Sequence, residues 1–183
     1  MEELPTVPPS LRRATRAFDE LTGCCDRGTT LDGLGRLLGP ADTGAGVIVV
    51  ALADVDRIND RHGVAVADQV LVGVADRLRS CTRRGDRVGR VGPSEFAVVY
   101  PDVADEEMLR AIAIRMHATL QFDVSIPASV LPVRASVGAA LGVPGDEPSH
   151  VVDLAVAAMH AARGLRLGQV VLAGDDVSAA AAR

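Results

Sequence analysis

The sequence predicts an α/β fold of the ferredoxin-like type, in which helices wrap a central mixed sheet of five strands. The first observation is a near-continuous apolar run, Val47–Ala53, which is typical of a central strand buried on both faces. The second is Arg83–Pro101, where an alternating arm, a Gly-Pro turn and an apolar arm predict a β-hairpin. The third is the order of elements, α-β-α-β-β-α-β-α-β, which gives two β-α-β halves with the hairpin between them.

Apolar residues at helical spacing locate the helices. One covers Thr29–Leu38, with Thr29 or Thr30 as its N-cap. A polar turn, Asp54–Asp60, follows the central strand and leads into a long helix over Val66–Cys81. In chain order, the remaining predicted elements are a short helix over Leu11–Asp19, a helix over Asp105–Leu120, a strand over Val130–Leu141, a helix over Ser149–Arg163 and a strand over Gln169–Leu172.

Composition limits the class of protein. The chain has 183 residues, which suits one domain over residues 15–174, with a flexible leader over 1–14 and a tail over 175–183. A net charge of −5 gives no electrostatic case for a nucleic acid partner. No apolar run approaches the roughly 20 residues of a membrane span. Three cysteines without metal-ligand spacing, and an N-terminus that does not resemble a signal peptide, predict a cytoplasmic protein.

Five short motifs follow one another along the chain. They are Asp-Glu-Leu-Thr-Gly at 19–23, Ile-Asn-Asp-Arg-His-Gly at 58–63 with Asp68 after it, Gly-Pro-Ser-Glu-Phe at 92–96, Ser-Val-Gly at 136–138 and Ala-Met-His-Ala-Ala-Arg at 158–163. Each is a weak signal by itself, but their order and spacing over about residues 17–173 resemble those of GGDEF domains, the diguanylate cyclases. The resemblance implies a nucleotidyl-cyclase, palm-like form of the fold.

Active members of that family join two GTP molecules into cyclic di-GMP, with one GTP on each subunit of a dimer. The chemistry needs carboxylates that hold magnesium between the triphosphate and the developing alkoxide. A gapless register places the family's strand-end Asp-Ile-Asp at Ala51–Ala53, so both carboxylates would be absent. The same register puts Asp56 where the family has a phosphate-binding Lys. A rival register, which removes three residues, pairs Asp54–Asp56 with that motif instead.

The hairpin turn also lacks residues that the family uses for its chemistry. Gly92, Pro93, Ser94, Glu95 and Phe96 stand where the family has Gly-Gly-Asp/Glu-Glu-Phe. A serine hydroxyl lacks the negative charge of the missing carboxylate, and proline fixes φ and removes an N–H group. We therefore expect this motif to be degenerate, with no catalytic residue and no metal site.

Glu95 keeps its family position and is expected to pair with Arg90 in the absence of a metal. Magnesium would be a cofactor only under the least favoured alternative, an active cyclase that uses Asp54, Asp56 and Glu95.

Two sets of residues match the binding half of the family pattern. Arg83 and Asp86 match its inhibitory Arg-x-x-Asp site, where Arg contacts phosphate or the guanine Hoogsteen edge and Asp accepts from guanine N–H groups. The alternative is a solvated loop with a local Arg–Asp pair of little energy. The family's supporting Arg falls near Ala113, so Arg110 or Arg115 would have to reach the site instead.

Asn59 and Asp68 match the family's guanine-reading pair, since an amide and a carboxylate can read the guanine edge. The alternative is that Asn59 caps the chain after the strand and Asp68 lies in the first turn of a helix. Arg163 keeps a cation at a possible phosphate-binding position, whereas Leu167 replaces the usual Arg.

The sequence therefore predicts an inactive GGDEF-like signalling protein that binds cyclic di-GMP, or GTP, and acts as a homodimer or with a protein partner. The alternative is a nucleotide-free dimerisation or protein-interaction module.

Overall fold

The computed structural model describes residues 17–39, 44–126, 129–165 and 170–175. The predicted leader, most of the predicted helix Leu11–Asp19, Leu167 and nearly all of the predicted tail lie outside the described residues. The elements are α1 (Arg27–Leu37), β1 (Ala45–Leu52), α2 (Val55–His62), α3 (Val64–Ser80), β2 (Arg87–Arg90), β3 (Glu95–Pro101), α4 (Glu106–Thr119), β4 (Phe122–Ile126), β5 (Ser129–Val133), β6 (Ala135–Gly142), α5 (Pro148–Gly164) and β7 (Val170–Leu172).

Strand β1 is the centre of a five-stranded sheet with the order β2-β3-β1-β6-β7. It pairs antiparallel with β3 on one edge and with β6 on the other. Strand β2 is antiparallel to β3, and β7 is parallel to β6, so the sheet is mixed. Strands β1 and β2 therefore run parallel, as do β3 and β6, which gives two interleaved β-α-β units. The predicted ferredoxin-like, palm-like fold is confirmed.

The core lies on both faces of β1, whose eight residues are all buried. Side chains alternate along the strand, so Ile48 and Val50 enter the cluster formed with α3 and α4, whereas Val47 and Val49 enter the cluster formed with α1 and α5. Helix α5 packs so closely on β6 that only glycine fits at residue 138. Both clusters are largely aliphatic, as the scarcity of aromatic residues requires.

Several predicted elements differ from the observed ones. The predicted polar turn is helix α2, which the apolar pattern missed because only Ile58 of its eight residues is buried. The predicted strand Val130–Leu141 is two strands that break at Arg134, and β5 pairs with an unpredicted strand, β4. Strand β4 is a surface strand with exposed and half-buried residues alternating, so it carries no strong apolar signal.

Helix α1 begins before the predicted cap. The Asp26 carboxylate accepts a hydrogen bond from the Thr29 amide at 2.7 Å, so Asp26 is the N-cap and both threonines lie inside the helix. In the described part of the chain, no helix is both long and apolar enough to cross a membrane.

Replacing Gly138 with alanine tests the packing of α5 on β6. An added Cβ would stand 2.0 Å from the Met159 amide nitrogen and 2.4 Å from the Ala155 carbonyl oxygen, and neither backbone atom can move freely. We expect Gly138→Ala to lower the free energy of unfolding by about 3 kcal/mol in urea denaturation. Gly73→Ala is the matched control, because its nearest neighbours are Phe122 ring atoms at 3.8 Å. An equal loss in both variants would contradict this account.

Candidate functional site

The hairpin turn rests on the end of the central strand. Ala51 of β1 lies opposite Glu95 of β3 and opposite Ser136 of β6. The Leu52 amide donates to the Ser94 carbonyl oxygen at 3.1 Å, and the Ala53 amide donates to the Arg134 carbonyl oxygen at 2.9 Å. The Gly-Pro-Ser-Glu-Phe motif and the end of β1 therefore lie next to each other.

The side chains near the end of β1 provide few ligands for a metal ion. Ala51 is buried and its methyl group cannot ligate a metal. Asp54 is the N-cap residue of α2, in the left-handed region at φ 64°, and pairs with Arg57 at 3.0 Å. Asp56 is exposed in the first turn of α2. Within the described residues, no three His, Cys, Asp or Glu side chains are grouped in a way that could hold a metal ion.

The carboxylate of Glu95 folds back over the turn. A Cβ added at Gly92 would stand 2.5 Å from Glu95 Oε2, so the glycine makes room for this carboxylate. The expected pair between Glu95 and Arg90 is not formed. Arg90 instead donates to both carboxylate oxygens of Asp19, at 3.1 and 3.2 Å, and to the Pro93 carbonyl oxygen at 2.6 Å. The competing partner lies 71 residues away in sequence, which no local pattern could predict.

Asp19 joins the first motif to the hairpin. Its Oδ1 atom accepts hydrogen bonds from the Thr22 amide at 2.8 Å and from the Thr22 hydroxyl at 2.6 Å. Burial favours the protonated acid, but the hydrogen bonds from Thr22 and Arg90 outweigh it and lower the pKa of Asp19. The Asp-Glu-Leu-Thr-Gly turn is therefore a structural clamp on the hairpin.

Arg83 and Asp86 lie together in the loop between α3 and β2. The Arg83 amide donates to Asp86 Oδ2 at 2.8 Å, and Arg83 Nε lies 3.5 Å from Asp86 Oδ1. The two side chains differ sharply in exposure: 63% for Arg83 and only 2% for Asp86. The carboxylate is thus fixed within the protein while the guanidinium reaches outwards, which is not the arrangement of a wholly solvated loop.

A cavity of about 640 Å³ opens beside this pair, between the end of α3, the end of β3 and α4. Its volume is that of a small-molecule site. The lining includes Cys81, Arg83, Asp86, Tyr100, Ile112 and Arg115. Of the two arginines considered from the sequence, Arg115 therefore lines the cavity. Arg110 is held elsewhere by both carboxylate oxygens of Asp175, at 3.0 and 2.5 Å.

The other predicted residues lie apart from this cavity. Asn59 is exposed within α2, and Asp68 is half-buried in α3, on the other side of Gly63. Asn59 is therefore not a cap, and Asp68 lies beyond the first turn of its helix. Within the described chain, neither side chain forms a hydrogen bond or ion pair. Arg163 is exposed in the last turn of α5.

Comparison with known proteins identifies the family. The profile of the family described as diguanylate cyclase, GGDEF domain, matches residues 16–166. This chain belongs to the GGDEF domain family. The response regulator PleD of Caulobacter vibrioides is 34% identical over 159 residues, which are 84% of this chain and 35% of PleD. The chain therefore spans about a third of the length of this relative.

Solved structures agree with the assignment. The GGDEF domain of TpbB from Pseudomonas aeruginosa is 30% identical, with a TM-score of 0.78 over 85% of this chain and 94% of that one. The GGDEF domain of DgcB from Caulobacter crescentus, solved in complex with cyclic di-GMP, superposes with a TM-score of 0.80 over 89% of this chain and 99% of that one. At 21% identity, the DgcB comparison bears on the fold alone.

One residue of this GGDEF domain lines the cavity without having been predicted there. Tyr100 ends an apolar run in β3, and the sequence pattern assigns it to the core. The only signal is compositional, since it is the single tyrosine of the chain.

Removing the charge of Asp19 tests the clamp on the hairpin. We expect Asp19→Asn to lower the free energy of unfolding by about 1 kcal/mol at pH 7, because Arg90 loses its partner. Since the pKa of Asp19 is lowered by folding, its contribution is present above its unfolded pKa of about 4 and disappears as the pH falls through the lower folded value. Urea denaturation from pH 7 to pH 3 should therefore show the difference between wild type and variant shrinking below about pH 4.

Asp76→Asn is the control, because the Asp76–Arg79 pair, at 3.0 Å, is close in length to the 3.1 Å Asp19–Arg90 pair but is more exposed. Its effect should stay within about 0.5 kcal/mol. A difference between wild type and Asp19→Asn that does not change with pH would exclude the carboxylate as its cause.

Proposed function

We propose that this GGDEF domain is a catalytically inactive regulator that binds cyclic di-GMP in the cavity beside Arg83 and Asp86. The observation that carries the proposal is the meeting of three charged side chains at one cavity: a buried carboxylate, Asp86, and two cations, Arg83 and Arg115. Arginine presents planar pairs of donors that match phosphate oxygens and the acceptors N7 and O6 of guanine. A carboxylate accepts from the N–H groups of guanine.

The state of the Asp86 carboxylate supports this role. Its Oδ2 atom is already bound by the Arg83 amide, which sets the position of the side chain before any ligand arrives. The Arg83 guanidinium is exposed and makes two long contacts, from Nε to Asp86 Oδ1 and from one terminal nitrogen to the Pro101 carbonyl oxygen, each at 3.5 Å, so its other N–H groups can face a phosphate. A fixed acceptor beside an exposed cationic donor favours a ligand that carries both N–H groups and negative charge.

The loss of cyclase chemistry is the second half of the proposal. Ala51 lies near the end of β1, Ala53 directly follows the strand, and Ser94 occupies the turn. Asp54 and Asp56 lie farther along the chain, as the N-cap residue and a first-turn residue of α2. This placement supports the gapless register, in which the two metal carboxylates of the family are replaced by alanine. We further propose that the domain signals from the cytoplasm, as a homodimer or with a protein partner. The three free thiols are consistent with a reducing compartment.

Calorimetric titration with cyclic di-GMP tests the binding proposal. We expect the wild type to bind with a dissociation constant in the micromolar range or lower. The dissociation constant of Arg83→Ala should be about 10- to 100-fold higher, because a charge-assisted hydrogen bond is lost. Arg84→Ala is the matched control, since Arg84 is the exposed neighbour and does not line the cavity. No heat from the wild type at high ligand concentration would leave the interaction module as the better account.

GTP forms the second arm of this titration. Binding of GTP that survives Arg83→Ala and is lost in Asp68→Asn would place the ligand at α2 and α3 instead.

Incubation with GTP and magnesium tests the loss of catalysis. We expect no cyclic di-GMP above a no-enzyme control in chromatography of the products, because the end of β1 lacks carboxylates. Product that disappears in Glu95→Gln would establish the active-cyclase alternative.

A further inference from the structure

Two buried polar atoms in the described chain lack any hydrogen-bond partner: Asp86 Oδ1 and Tyr100 Oη. A buried polar group without a partner is costly, and such groups are rare in folded proteins. Both atoms belong to side chains that line the same cavity, so the buried side-chain atoms without a hydrogen-bond partner, among the residues described, lie at one place. They do not bond to each other.

The rest of each side chain is well fixed. Tyr100 is 3% exposed and lies in β3, where its backbone is opposite Gly46 of β1. Asp86 is held through Oδ2 by the Arg83 amide. Burial, together with the neighbouring Asp86 carboxylate, raises the pKa of Tyr100, so the phenol keeps its proton and can donate it. The cavity therefore contains one fixed acceptor, Asp86 Oδ1, and one fixed O–H donor.

A ligand that accepts from the Tyr100 hydroxyl and donates to Asp86 Oδ1 presents an acceptor beside a donor. Guanine presents N1–H beside O6, and its O6 can accept a second bond together with N7. Adenine presents the reverse order, with an acceptor at N1 and a donor at N6, and so offers an arginine only N7 on its other edge. Arg83 and Tyr100 together therefore favour guanine.

We infer that Tyr100 is a ligand-binding residue of this cavity, and that its hydroxyl donates to guanine O6 while Asp86 accepts from N1–H. The inference rests on the proposed function, since it concerns the ligand of that same site. It adds a specificity-determining residue that neither the Arg-x-x-Asp spacing nor the apolar pattern of β3 indicates.

The variant Tyr100→Phe removes only the hydroxyl and keeps the packing of the ring. We expect the melting temperature of the free protein to stay the same or rise, because an unsatisfied buried group is removed. Calorimetry with cyclic di-GMP should show about 5- to 50-fold weaker binding. Cyclic di-AMP, the control ligand, should bind the wild type more weakly than cyclic di-GMP and should lose less affinity in the variant.

The variant Thr30→Val is the control, because it removes a buried hydroxyl that does have a hydrogen-bond partner. Thr30 is also fully buried, but its hydroxyl already donates to the Asp26 carbonyl oxygen at 2.7 Å, on the α1 side of the sheet. Removal of that hydroxyl should lower the melting temperature and leave the affinity for cyclic di-GMP unchanged.

A second measurement needs no variant at Tyr100. The chain has one tyrosine, so labelling with ¹³Cζ-tyrosine gives a single resonance that reports on this hydroxyl. We expect it to shift when cyclic di-GMP is added to the wild type and to stay in place in Arg83→Ala at the same concentration.

If the wild type binds and Arg83→Ala weakens binding, but Tyr100→Phe binds equally well and the resonance does not move, the role of Tyr100 is overturned and the proposed function stands. If the wild type does not bind cyclic di-GMP at all, both fail together.

Discussion

The double burial of β1 is the constraint on which the rest of this structure depends. The strand is covered on both faces and hydrogen-bonded along both edges, so it has no freedom to shift in register or direction. Its last residues therefore fix where β3 begins and where the hairpin turn rests. The amide of Leu52, through its bond to Ser94, ties that turn to the end of β1.

That constraint explains why alanine is compatible with the site. A carboxylate at residue 51 would be buried and would stand directly opposite Glu95 across the strand pair. Two like charges at such a position repel each other unless a cation lies between them. With alanine there, Glu95 is free of that repulsion and folds over Gly92. The end of β1 therefore carries no pair of like charges opposite Glu95.

The cavity beside Arg83 does not depend on which residues stand at the end of β1. Glu95 and Tyr100 stand five residues apart on the same strand, so they are about 17 Å from each other. Tyr100 is paired near the start of β1, whereas Glu95 is paired near its end. Replacement of the residues at one end of the strand therefore leaves the geometry of the other end intact. The hairpin turn and the cavity can therefore change separately, because they lie at opposite ends of β3.

The sequence was sufficient for the central sheet, because β1 and β3 are unbroken apolar runs and the hairpin turn has a strong local signal. It was also sufficient to place Arg83 and Asp86 together, since they are three residues apart in one loop. It missed α2, which buries one side chain, and the Asp19–Arg90 pair, which joins distant parts of the chain. The sequence also failed to predict Tyr100 at the cavity, because an apolar pattern indicates that a ring is buried but not whether its hydroxyl has a hydrogen-bond partner.

The buried atoms without hydrogen-bond partners affect how much free energy a ligand can gain by binding in this cavity. In most sites a ligand replaces hydrogen bonds between the protein and water, and the gain is a small difference between two sets of bonds. Among the described residues, Tyr100 Oη has no hydrogen bond to give up, and Asp86 Oδ1 has only the 3.5 Å ion pair with Arg83 Nε. A guanine edge would supply hydrogen-bond partners to both groups. The free-energy cost of burying these groups is incurred when the protein folds, not when the ligand binds. A ligand bound in this way favours the folded state by mass action, and it does so through two side chains that folding has already positioned.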